Sequence, residues 1–492
     1  MNPTTFTFWD TETTGLHKAF HVPVEIGAVV TDASLRPIRE INLACRPPRF
    51  VLPEPGALLT TGRSISELLG RPVTAYEATC RFAQEVRAAT PTCFVTYNGV
   101  GFDDPLIQHT FYRHLHDPYI MLKGGNCRVD LLKLVQLAHA LGLGELIVPT
   151  ADNGRATFKL DRIAPLNGFK EPGAHSAVVD ARAVHHLARL IATRAPVLWE
   201  RALSLWSRKD AVRNLVAGAD FIVQFGWDWR KGQSCPAFKA LMPIGQGRSY
   251  AGDYVCLDLA IDPEEYVSLA PEELSAKITI GPKPRPICTV RLNGVPMVFN
   301  GADPLVSGRV PVDARTLAER VQRIRRDAGL RERVLEAVDL SRDSFEEPEH
   351  VEQQLYSGGF ITNADMAALE RFHQAAPEHK LKVVGTIRDT RLTYLAERLI
   401  YGEWPAVLPL DTRDRIDAER QDRHLALTEH PWTTVSAALE AIEELLPDAD
   451  DAGREILVEY QAYLTRMEAP PSPPVDATVP LHPIAAVEMS PQ

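Results

Sequence analysis

Two carboxylates follow the first hydrophobic run of the chain. Asp10 and Glu12 lie in "FWDTETTG", directly after the apolar residues of "TFTFW". Side chains two apart on a β-strand point to the same face, so the two acids would project together. Like charges this close repel unless a cation neutralises them, and hard divalent cations prefer oxygen ligands. The pair favours a metal site over the simpler alternative of a solvated strand end.

Two later segments supply further candidate ligands. "YNGVGFDDP" places Asp103 at or just before a helix start, where capping and the helix dipole alone also favour aspartate. "HSAVVDARAVHHL" supplies His175 and Asp180. Five residues along one helix would turn these two side chains about 140° apart. We therefore expect His175 in the loop that precedes the helix carrying Asp180.

Four carboxylates and one histidine suit phosphodiester hydrolysis. A carboxylate cage can hold two divalent cations, about 3.5–4 Å apart, that clamp the attacking and leaving oxygens. His175, with an unperturbed pKa of about 6.5, can take a proton from the attacking water at neutral pH. The three segments contain no cysteine, which favours Mg²⁺ or Mn²⁺ over zinc.

The first 195 residues predict a mixed α/β arrangement to position these groups. Short β-branched and aromatic runs predict strands, and apolar residues at three- and four-residue spacing predict helices. The predicted strands are "TFTFWD", "EIGAVVTD", "INLACRP" and "CFVTYN". The predicted helices are "TAYEATCRFAQEVRAA", "DDPLIQHTFYRHL", "VDLLKLVQLAHALG" and "AVVDARAVHHLARLIAT".

The remainder of the chain has a different pattern of predicted secondary structure. Between about 212 and 300, short strands separated by Gly, Pro and Asp predict a small β-barrel or sandwich. These are "GADFIVQFGW", "DYVCLDLAI", "KITIGP" and "CTVRLNGVPMVFN". An arginine-rich helical pattern follows at 313–338, and further helices are predicted from about 350 to 467. The Pro-rich stretch from 468 to 492 is typical of a disordered tail.

Composition sets the general class. The chain has 492 residues, 45% hydrophobic and 24% charged, which is typical of a globular protein with several domains. We find no secretory signal and no apolar run long enough to span a membrane. Seven scattered cysteines without a C-x-x-C pair favour reduced thiols in a cytoplasm over disulfides or a zinc site.

The charge is unevenly distributed. The net charge of −11 argues weakly against a nucleic-acid partner, but the middle of the chain is basic. One basic stretch is 277–291, and the other is 315–333, with seven arginines. The arginine-rich helical stretch is equally well explained as a solvated face with ion pairs four residues apart.

The three acidic segments, in this order and spacing, resemble the signatures of DEDD-type 3′→5′ exonucleases that use a histidine. Proofreading subunits, ribonuclease T and oligoribonuclease share these signatures. From about residue 5 to 465 the chain also resembles the bacterial exonuclease I family, which acts on single-stranded DNA. The segments that carry this resemblance are "PEPGALLTTG", "FYRHLHDPY", "CRVDLLKLVQLAHAL", "TFKLDRIAPLNG" and "VEQQLYSGGFITNADMAAL".

The resemblance implies three domains. A ribonuclease H-like exonuclease domain with a mixed sheet would span 1–195. An SH3-like β-domain with the arginine-rich helical segment would span 196–347. An all-helical C-terminal domain would span 348–467, before the tail at 468–492. The two later domains would close over the first to form a channel for single-stranded DNA.

It also implies roles for single residues. Two Mg²⁺ ions, replaceable by Mn²⁺, would be held by Asp10, Glu12, Asp103 and Asp180, with His175 as the general base. Substrate contacts would come from Glu12, Lys159, Tyr119, Tyr356 and Phe360. Lys159 stands where relatives carry an arginine near the scissile phosphate, and it keeps the charge without the bidentate geometry. "DTETTG" also differs from the family's "DYETFG", which leaves the metal ligands intact but changes residues near the 3′ nucleotide.

The implied activity is 3′→5′ degradation of single-stranded DNA to 5′-mononucleotides, in DNA repair and recombination. The implied protein is a cytoplasmic monomer. Its second partner would be the acidic tail of single-strand DNA-binding protein, contacted by basic surface residues. The arginines of 315–333 would serve either that protein or DNA, and those of 277–291 would bind DNA phosphates.

Four other functions stay open. RNA 3′-end trimming or proofreading would keep the nuclease fold and change the substrate. An inactive single-strand DNA-binding scaffold would not be an enzyme at all, although a binder has no need of a costly anionic cluster. A haloacid-dehalogenase-type phosphatase fits less well, because the second acid is Glu12 and no later signature of that class follows.

Overall fold

The computed structural model describes residues 4–173, 175–206, 210–229, 234–279, 285–342 and 347–468. From residue 469 onward, the predicted Pro-rich tail lies outside this part of the chain. Among the helices described, none combines the length and apolar character needed to cross a membrane.

A five-stranded mixed sheet forms the centre of the first region. Its spatial order is β3-β2-β1-β4-β5. β1 pairs antiparallel with β2 and parallel with β4, and β4 pairs parallel with β5. The strands are β1 (Thr5–Thr13), β2 (Pro23–Asp32), β3 (Pro37–Ala44), β4 (Cys93–Thr96) and β5 (Cys127–Asp130).

Seven helices surround this sheet. They are α1 (Pro55–Thr61), α2 (Ile65–Gly70), α3 (Ala75–Ala89), α4 (Asp103–Arg113), α5 (Leu131–Leu141), α6 (Leu160–Leu166) and α7 (Ala177–Arg194). The mixed α/β prediction is confirmed. The sequence-based helix assignment wrongly included Val129 and Asp130 of β5, because Val129 continues the apolar spacing of α5 although both residues pair with β4.

The second region contains an antiparallel sheet of order β10-β6-β7-β8-β9, consistent with the predicted SH3-like β-domain. Its strands are β6 (Ile222–Asp228), β7 (Cys235–Gln246), β8 (Asp253–Asp258), β9 (Ile287–Arg291) and β10 (Met297–Asn300). Its helices are α8 (Pro196–Trp206), α9 (Ala211–Gly218), α10 (Pro271–Thr279), α11 (Ala314–Arg325) and α12 (Leu330–Leu340).

Two sequence-based assignments in this region are wrong. The long strand β7 was not predicted. The predicted strand at 277–282 instead ends helix α10 over 277–279, and 280–282 lie outside the described residues. Pro271 and two glutamates begin that helix and Leu274 is buried, so the helix-start signals outweigh the β-branched residues that follow.

The C-terminal region is helical, as predicted. Its helices are α13 (Asn363–Gln374), α14 (Lys380–Val384), α15 (Thr390–Glu403), α16 (Leu410–Leu425), α17 (Val435–Leu445) and α18 (Asp451–Glu468). Two separate apolar cores attach them to the first region. One joins Tyr112 and Leu115 to Phe372 of α13, and the other joins Leu58 of α1 to Tyr460 of α18.

A continuous core also connects the two sheets. It includes Phe6 and Phe8 of β1, the α8 residue Trp199, and Phe225 of β6. The rings of Phe6 and Trp199 lie 5.5 Å apart between centroids. Helix α8 therefore links the first region to the second sheet, and the strand that carries Asp10 is held from below by buried aromatic side chains.

Candidate active site

The two acids of β1 lie at the carboxyl end of the central strand. Asp10 pairs with Gly27 of β2, and Glu12 pairs with Glu25 before the register shifts at Thr13. Asp10 is half-buried and Glu12 is buried. Because the strand beneath them is packed on both faces, their positions are fixed by the core rather than by a loop.

Helix α7 brings the second part of the site to this strand. Ser176 is its N-cap, and Asp180 lies in its first turn. His175 stands in the loop before the helix with φ of 66°, and its backbone N–H donates to Asp180 Oδ2 at 3.2 Å. Ligand atoms of Glu12, His175 and Asp180 all lie within 4.8 Å of one another. The arrangement expected from the five-residue spacing is present.

Gly27 makes this close approach possible. A Cβ built on Gly27 would stand 2.1 Å from the carbonyl carbon of Ala177 and 2.1 Å from the nitrogen of Val178. The start of α7 therefore touches the backbone of β2 directly opposite Asp10. Any larger residue would push the helix, and His175 and Asp180 with it, away from the acids of β1.

Asp103 is the first residue of α4 and is buried. It reaches the site because β4, which precedes it, runs parallel to β1 and ends at the same edge of the sheet. The Thr11 hydroxyl donates to Asp103 Oδ1. A Cβ on Gly99 would stand 2.7 Å from Asp103 Oδ2, so this turn also requires glycine.

Asp10, Glu12, Asp103 and Asp180 together form what we term the carboxylate cluster. Burial, reinforced by repulsion from the other acids, raises the pKa of Asp10 well above its usual range and that of Glu12 to about 8. Burial also raises the pKa of Asp103, and it raises that of Asp180 to about 6. In each case the positive charge nearby does not offset the cost of burying the ionised carboxylate.

The arginines closest to the cluster are engaged elsewhere. Arg63 and Arg71 contact Glu25 Oε1 at 3.1 and 3.0 Å, and Arg128 contacts Asp104 Oδ2 at 2.6 Å. Within the described part of the chain, no lysine or arginine forms an ion pair with the carboxylate cluster. Convergent, uncompensated carboxylates are the donor set that hard divalent cations require, so the residues fit a divalent metal site.

A cleft of about 1160 Å³ begins at Val100, Gly101 and Asp104, which flank Asp103 in the chain. We term it the central cleft. Tyr119, Tyr356 and Phe360 line one wall, and the rings of Tyr119 and Phe360 lie 6.2 Å apart in an edge-on arrangement. Tyr356 is 56% exposed and Phe360 is 87% exposed, so neither is a core residue. The structure thus brings together three of the predicted substrate residues.

The second region also lines the cleft. Its contributing residues include Arg291 at the end of β9, and Tyr250 and Asn293 between strands. Arg128 crosses its base, with one nitrogen on Asp104 and the other donating to the Asn293 carbonyl at 2.6 Å. The cleft is therefore bounded by all three regions of the molecule.

Lys159 lies apart from the aromatic residues Tyr119, Tyr356 and Phe360. It is exposed and is the N-cap residue of α6. Asp161, two residues later, is close enough to Asp180 to contribute to the raised pKa of that carboxyl. Lys159 therefore lies near the α7 side of the carboxylate cluster and is not among the residues that line the central cleft.

The two basic stretches separate in space. Arg291 faces the central cleft, whereas Lys283 lies outside the described residues. The arginines of 315–333 do not line the central cleft. Most are paired: Arg315 with Glu319 four residues on, Arg323 with Glu264, and others with further acids or backbone carbonyls.

Sequence reasoning missed the residues that assemble the site. Thr11, Gly27 and Gly99 act through a hydrogen bond or through the absence of a side chain. Glu54 is a further case: it accepts from the Leu16 N–H at 3.2 Å and lies 3.0 Å from His21 Nε2, which holds the loop after β1. Only Gly27, inside a strand, carries a signal, since glycine there often marks a close backbone approach.

Comparisons with known proteins support the fold described above. The exonuclease family model matches residues 7–187, and the model of the exonuclease I C-terminal domain matches residues 349–467. The mixed sheet and the carboxylate cluster define a ribonuclease H-like exonuclease of the DEDD type, a class that uses divalent metal.

Relatives that align over most of the chain indicate which exonuclease of this class it resembles. Exodeoxyribonuclease I of Escherichia coli (strain K12) is 27% identical over 429 residues, which are 84% of this chain and 88% of the relative. The structure of exonuclease I from Methylocaldum szegediense aligns with a TM-score of 0.84 at 25% identity, covering 94% of this chain and all of that one. A zinc-bound E. coli complex with single-stranded DNA aligns at 0.81 and 23% identity, over 94% and 99% of the chains. The two family models, the relatives and the aligned structures together support a bacterial exonuclease I.

Proposed function

We propose that the protein is a 3′→5′ exodeoxyribonuclease that degrades single-stranded DNA to 5′-mononucleotides, acting in DNA repair and recombination. One observation carries the proposal: an uncompensated carboxylate cluster lies beside a cleft with an exposed aromatic wall. Acids of this kind suit phosphodiester hydrolysis, and aromatic walls suit unpaired bases.

Asp10, Glu12, Asp103 and Asp180 would hold two Mg²⁺ ions, for which Mn²⁺ can substitute. Bound divalent cations supply a Lewis acid for the phosphate and lower the pKa of a bound water. The chain contributes a rigid set of oxygens on β1, α4 and α7. Burial, and then repulsion among the acids, raises the pKa values in the absence of metal, and bound positive charge would offset both effects.

His175 is proposed as the general base. It is exposed, and its backbone N–H donates to Asp180, which places the residue at the edge of the carboxylate cluster. An exposed imidazole can take a proton from the attacking water and pass it to solvent. Its loop position leaves the ring free to approach a nucleotide without moving β1.

Tyr119, Tyr356 and Phe360 are proposed to stack on the bases of the strand. Base–aromatic stacking contributes about 1–3 kcal/mol per base and tolerates any sequence, which suits a degradative enzyme. Tyr356 is oriented by its hydroxyl, which donates to Gln108 Oε1 at 2.6 Å. Lys159 would contact the scissile phosphate from the other side, and Glu12 would contact the 3′-terminal nucleotide.

The choice of DNA is supported by the full-length relatives rather than by the cluster. The carboxylate cluster alone fits RNA trimming and proofreading equally well. The second and third regions, which complete the central cleft, are the parts that match exonuclease I beyond the shared nuclease domain.

Labelled oligonucleotides test the proposal. Single- and double-stranded DNA and RNA, labelled at either end, are incubated with Mg²⁺ or with EDTA. We expect mononucleotides from the 3′ end of single-stranded DNA only, and none in EDTA. Equal digestion of RNA would favour the trimming function, and binding without any cleavage would favour the scaffold.

A protein partner is proposed for the basic surface of 315–333, namely the acidic tail of single-strand DNA-binding protein. The segment lies away from the central cleft, which argues against a role in holding the substrate. Binding of an acidic tail peptide is measured for the wild type and for Arg326→Glu, with Arg49→Glu as a surface control. Equal binding by all three would contradict this partner surface. The protein is expected to be a monomer by sedimentation.

A further inference from the structure

A second cluster of potential ligands lies between the nuclease region and the C-terminal helices. It comprises Cys80 on α3, His116 in the turn after α4, and His373 on α13. We term it the thiol–imidazole cluster. His116 is buried, and the other two residues are half-buried. None of the three belongs to the carboxylate cluster or lines the central cleft.

The distances are close to those of a tetrahedral zinc site. Cys80 Sγ lies 3.4 Å from His116 Nε2 and 3.9 Å from His373 Nδ1, and the three ligand atoms all lie within 4.8 Å of one another. With Zn–S of about 2.3 Å and Zn–N of about 2.0 Å, two tetrahedral ligand atoms are about 3.5 Å apart.

Hydrogen bonding fixes the orientation of His373. Its Nε2 lies 2.9 Å from the Leu115 carbonyl oxygen, which can only accept, so Nε2 carries the proton. The lone pair of Nδ1 therefore points to Cys80 and to the Tyr76 hydroxyl, which is 3.0 Å away. A histidine ligand held by its second nitrogen on a carbonyl is the usual arrangement at metal sites.

His116 is held less firmly. Its Nε2 has only the Cys80 thiol as partner, and its buried Nδ1 has no hydrogen-bond partner in the described structure. Its ring lies parallel to that of His373, with 4.0 Å between centroids and 7° between planes. Because the lone pairs of two parallel rings lie in separate planes, the His116 ring would have to tilt out of this stack to share an ion with Cys80 and His373.

We propose that Cys80, His116 and His373 form a structural zinc site that joins the nuclease region to the C-terminal helices, with the Tyr76 hydroxyl beside the fourth position. One thiolate and two imidazoles select zinc rather than Mg²⁺, because soft sulfur and nitrogen ligands suit borderline metals. The ligands are up to 293 residues apart in sequence, so the ion would cross-link two regions. It would sit at the edge of the apolar core that contains Tyr76, Leu115 and Phe372.

Cobalt substitution tests the site directly. Co²⁺ is added to the full chain, and thiolate-to-cobalt charge transfer is followed in the near ultraviolet. Carboxylate-bound cobalt gives no such band, so the active site does not interfere. We expect one saturable band in the wild type, its loss in Cys80→Ser, and its retention in Cys288→Ser, a matched half-buried cysteine outside the cluster.

Stability and thiol reactivity supply independent readouts. Zn²⁺ should raise the Tm of the wild type by a few degrees more than that of Cys80→Ser or His373→Asn, because Zn²⁺ bound at the carboxylate cluster stabilises all three proteins alike. If those variants fold poorly, Zn²⁺ protection of Cys80 from alkylation is measured in the unmodified protein by peptide mass. A cobalt band that persists in Cys80→Ser, or alkylation of Cys80 at an unchanged rate with Zn²⁺, would overturn the site.

Discussion

The carboxylate cluster and the thiol–imidazole cluster place potential ligands in opposite settings. The first combines hard oxygens at the end of β1 and beside a cleft that a strand of DNA can enter. The second combines sulfur and nitrogen between α3 and α13, where packed helices enclose it. Oxygen donors would select Mg²⁺ or Mn²⁺ at the first cluster, and sulfur and nitrogen donors would select zinc at the second. Access from the cleft suits the first cluster to catalysis, and enclosure by helices suits the second to structural support.

The contrast also concerns how each cluster is stabilised without metal. The carboxylates repel one another, and their pKa values are raised. The thiol and imidazoles are neutral groups that contact and stack on each other. Loss of metal should therefore abolish activity at the first cluster and lower stability at the second.

Asp10→Asn should have the largest effect. Removing one preorganised charged group typically costs about 10²–10³-fold, and we expect a loss of at least about 10³-fold in mononucleotide release. The metal-free variant should be at least as stable as the wild type, because one repulsive charge is gone. Cys80→Ser should retain full activity in Mg²⁺. Activity of Asp10→Asn within tenfold of wild type would break the comparison.

His175→Ala should lose about 10²-fold in turnover, as expected for a general base. It should keep the Mn²⁺ affinity measured by calorimetry, which Asp10→Asn should lose. His430→Ala, a histidine in the loop between α16 and α17, serves as the control. If His175→Ala abolishes Mn²⁺ binding, the residue is a ligand and not the base.

Gly27→Ala asks whether the carboxylate cluster depends on the contact between β2 and α7. The new Cβ would overlap the backbone of Ala177 and Val178, so we expect a loss of about 1–3 kcal/mol in unfolding free energy together with lower activity. Gly226→Ala in β6 is the matched control, because no atom lies within 4 Å of its Cβ position. Equal urea midpoints for the two variants would contradict the contact.

Phe360→Ala tests whether single-stranded DNA reaches the carboxylate cluster along the aromatic wall of the central cleft. Loss of one stacked base, about 1–3 kcal/mol, should raise the KM for single-stranded DNA about tenfold and leave kcat nearly unchanged. Leu427→Ala removes a side chain that is equally exposed, at 89%, but lies away from the cleft. An unchanged KM in Phe360→Ala would show that Phe360 does not contact the DNA substrate.

Arg291→Ala should have the smallest effect. Each phosphate contact on a single strand contributes about 0.7 to the salt dependence of binding, so the slope of log K against log salt should fall by about that amount. Arg315→Ala, which removes a residue outside the cleft, should leave the slope unchanged. Equal slopes would place Arg291 outside the DNA path.

Sequence patterns predicted the residues that the structure brings together at the end of β1, because these residues lie in local motifs. Asp10 and Glu12 share one strand face, and His175 and Asp180 flank one helix start, so spacing alone predicts how each pair projects. The mixed α/β region and the C-terminal helices followed from their periodicities. Strand β7 was missed because its pairing with neighbouring strands, and not local propensity, makes it a strand. Part of helix α10 was misassigned as a strand because its helix-start signals outweigh the β-branched residues at its end.

The amino-acid sequence by itself determined which side chains could do chemistry and the donor type of the carboxylate cluster, since these depend on residue identity and short-range spacing. Only the tertiary structure decided that β1, α4 and α7 meet, because that contact depends on missing side chains at Gly27 and Gly99. It alone brought Cys80 to His373, and Tyr119 to Phe360, from distant positions in the chain. Contacts of this kind arise from packing between elements, which no local pattern records.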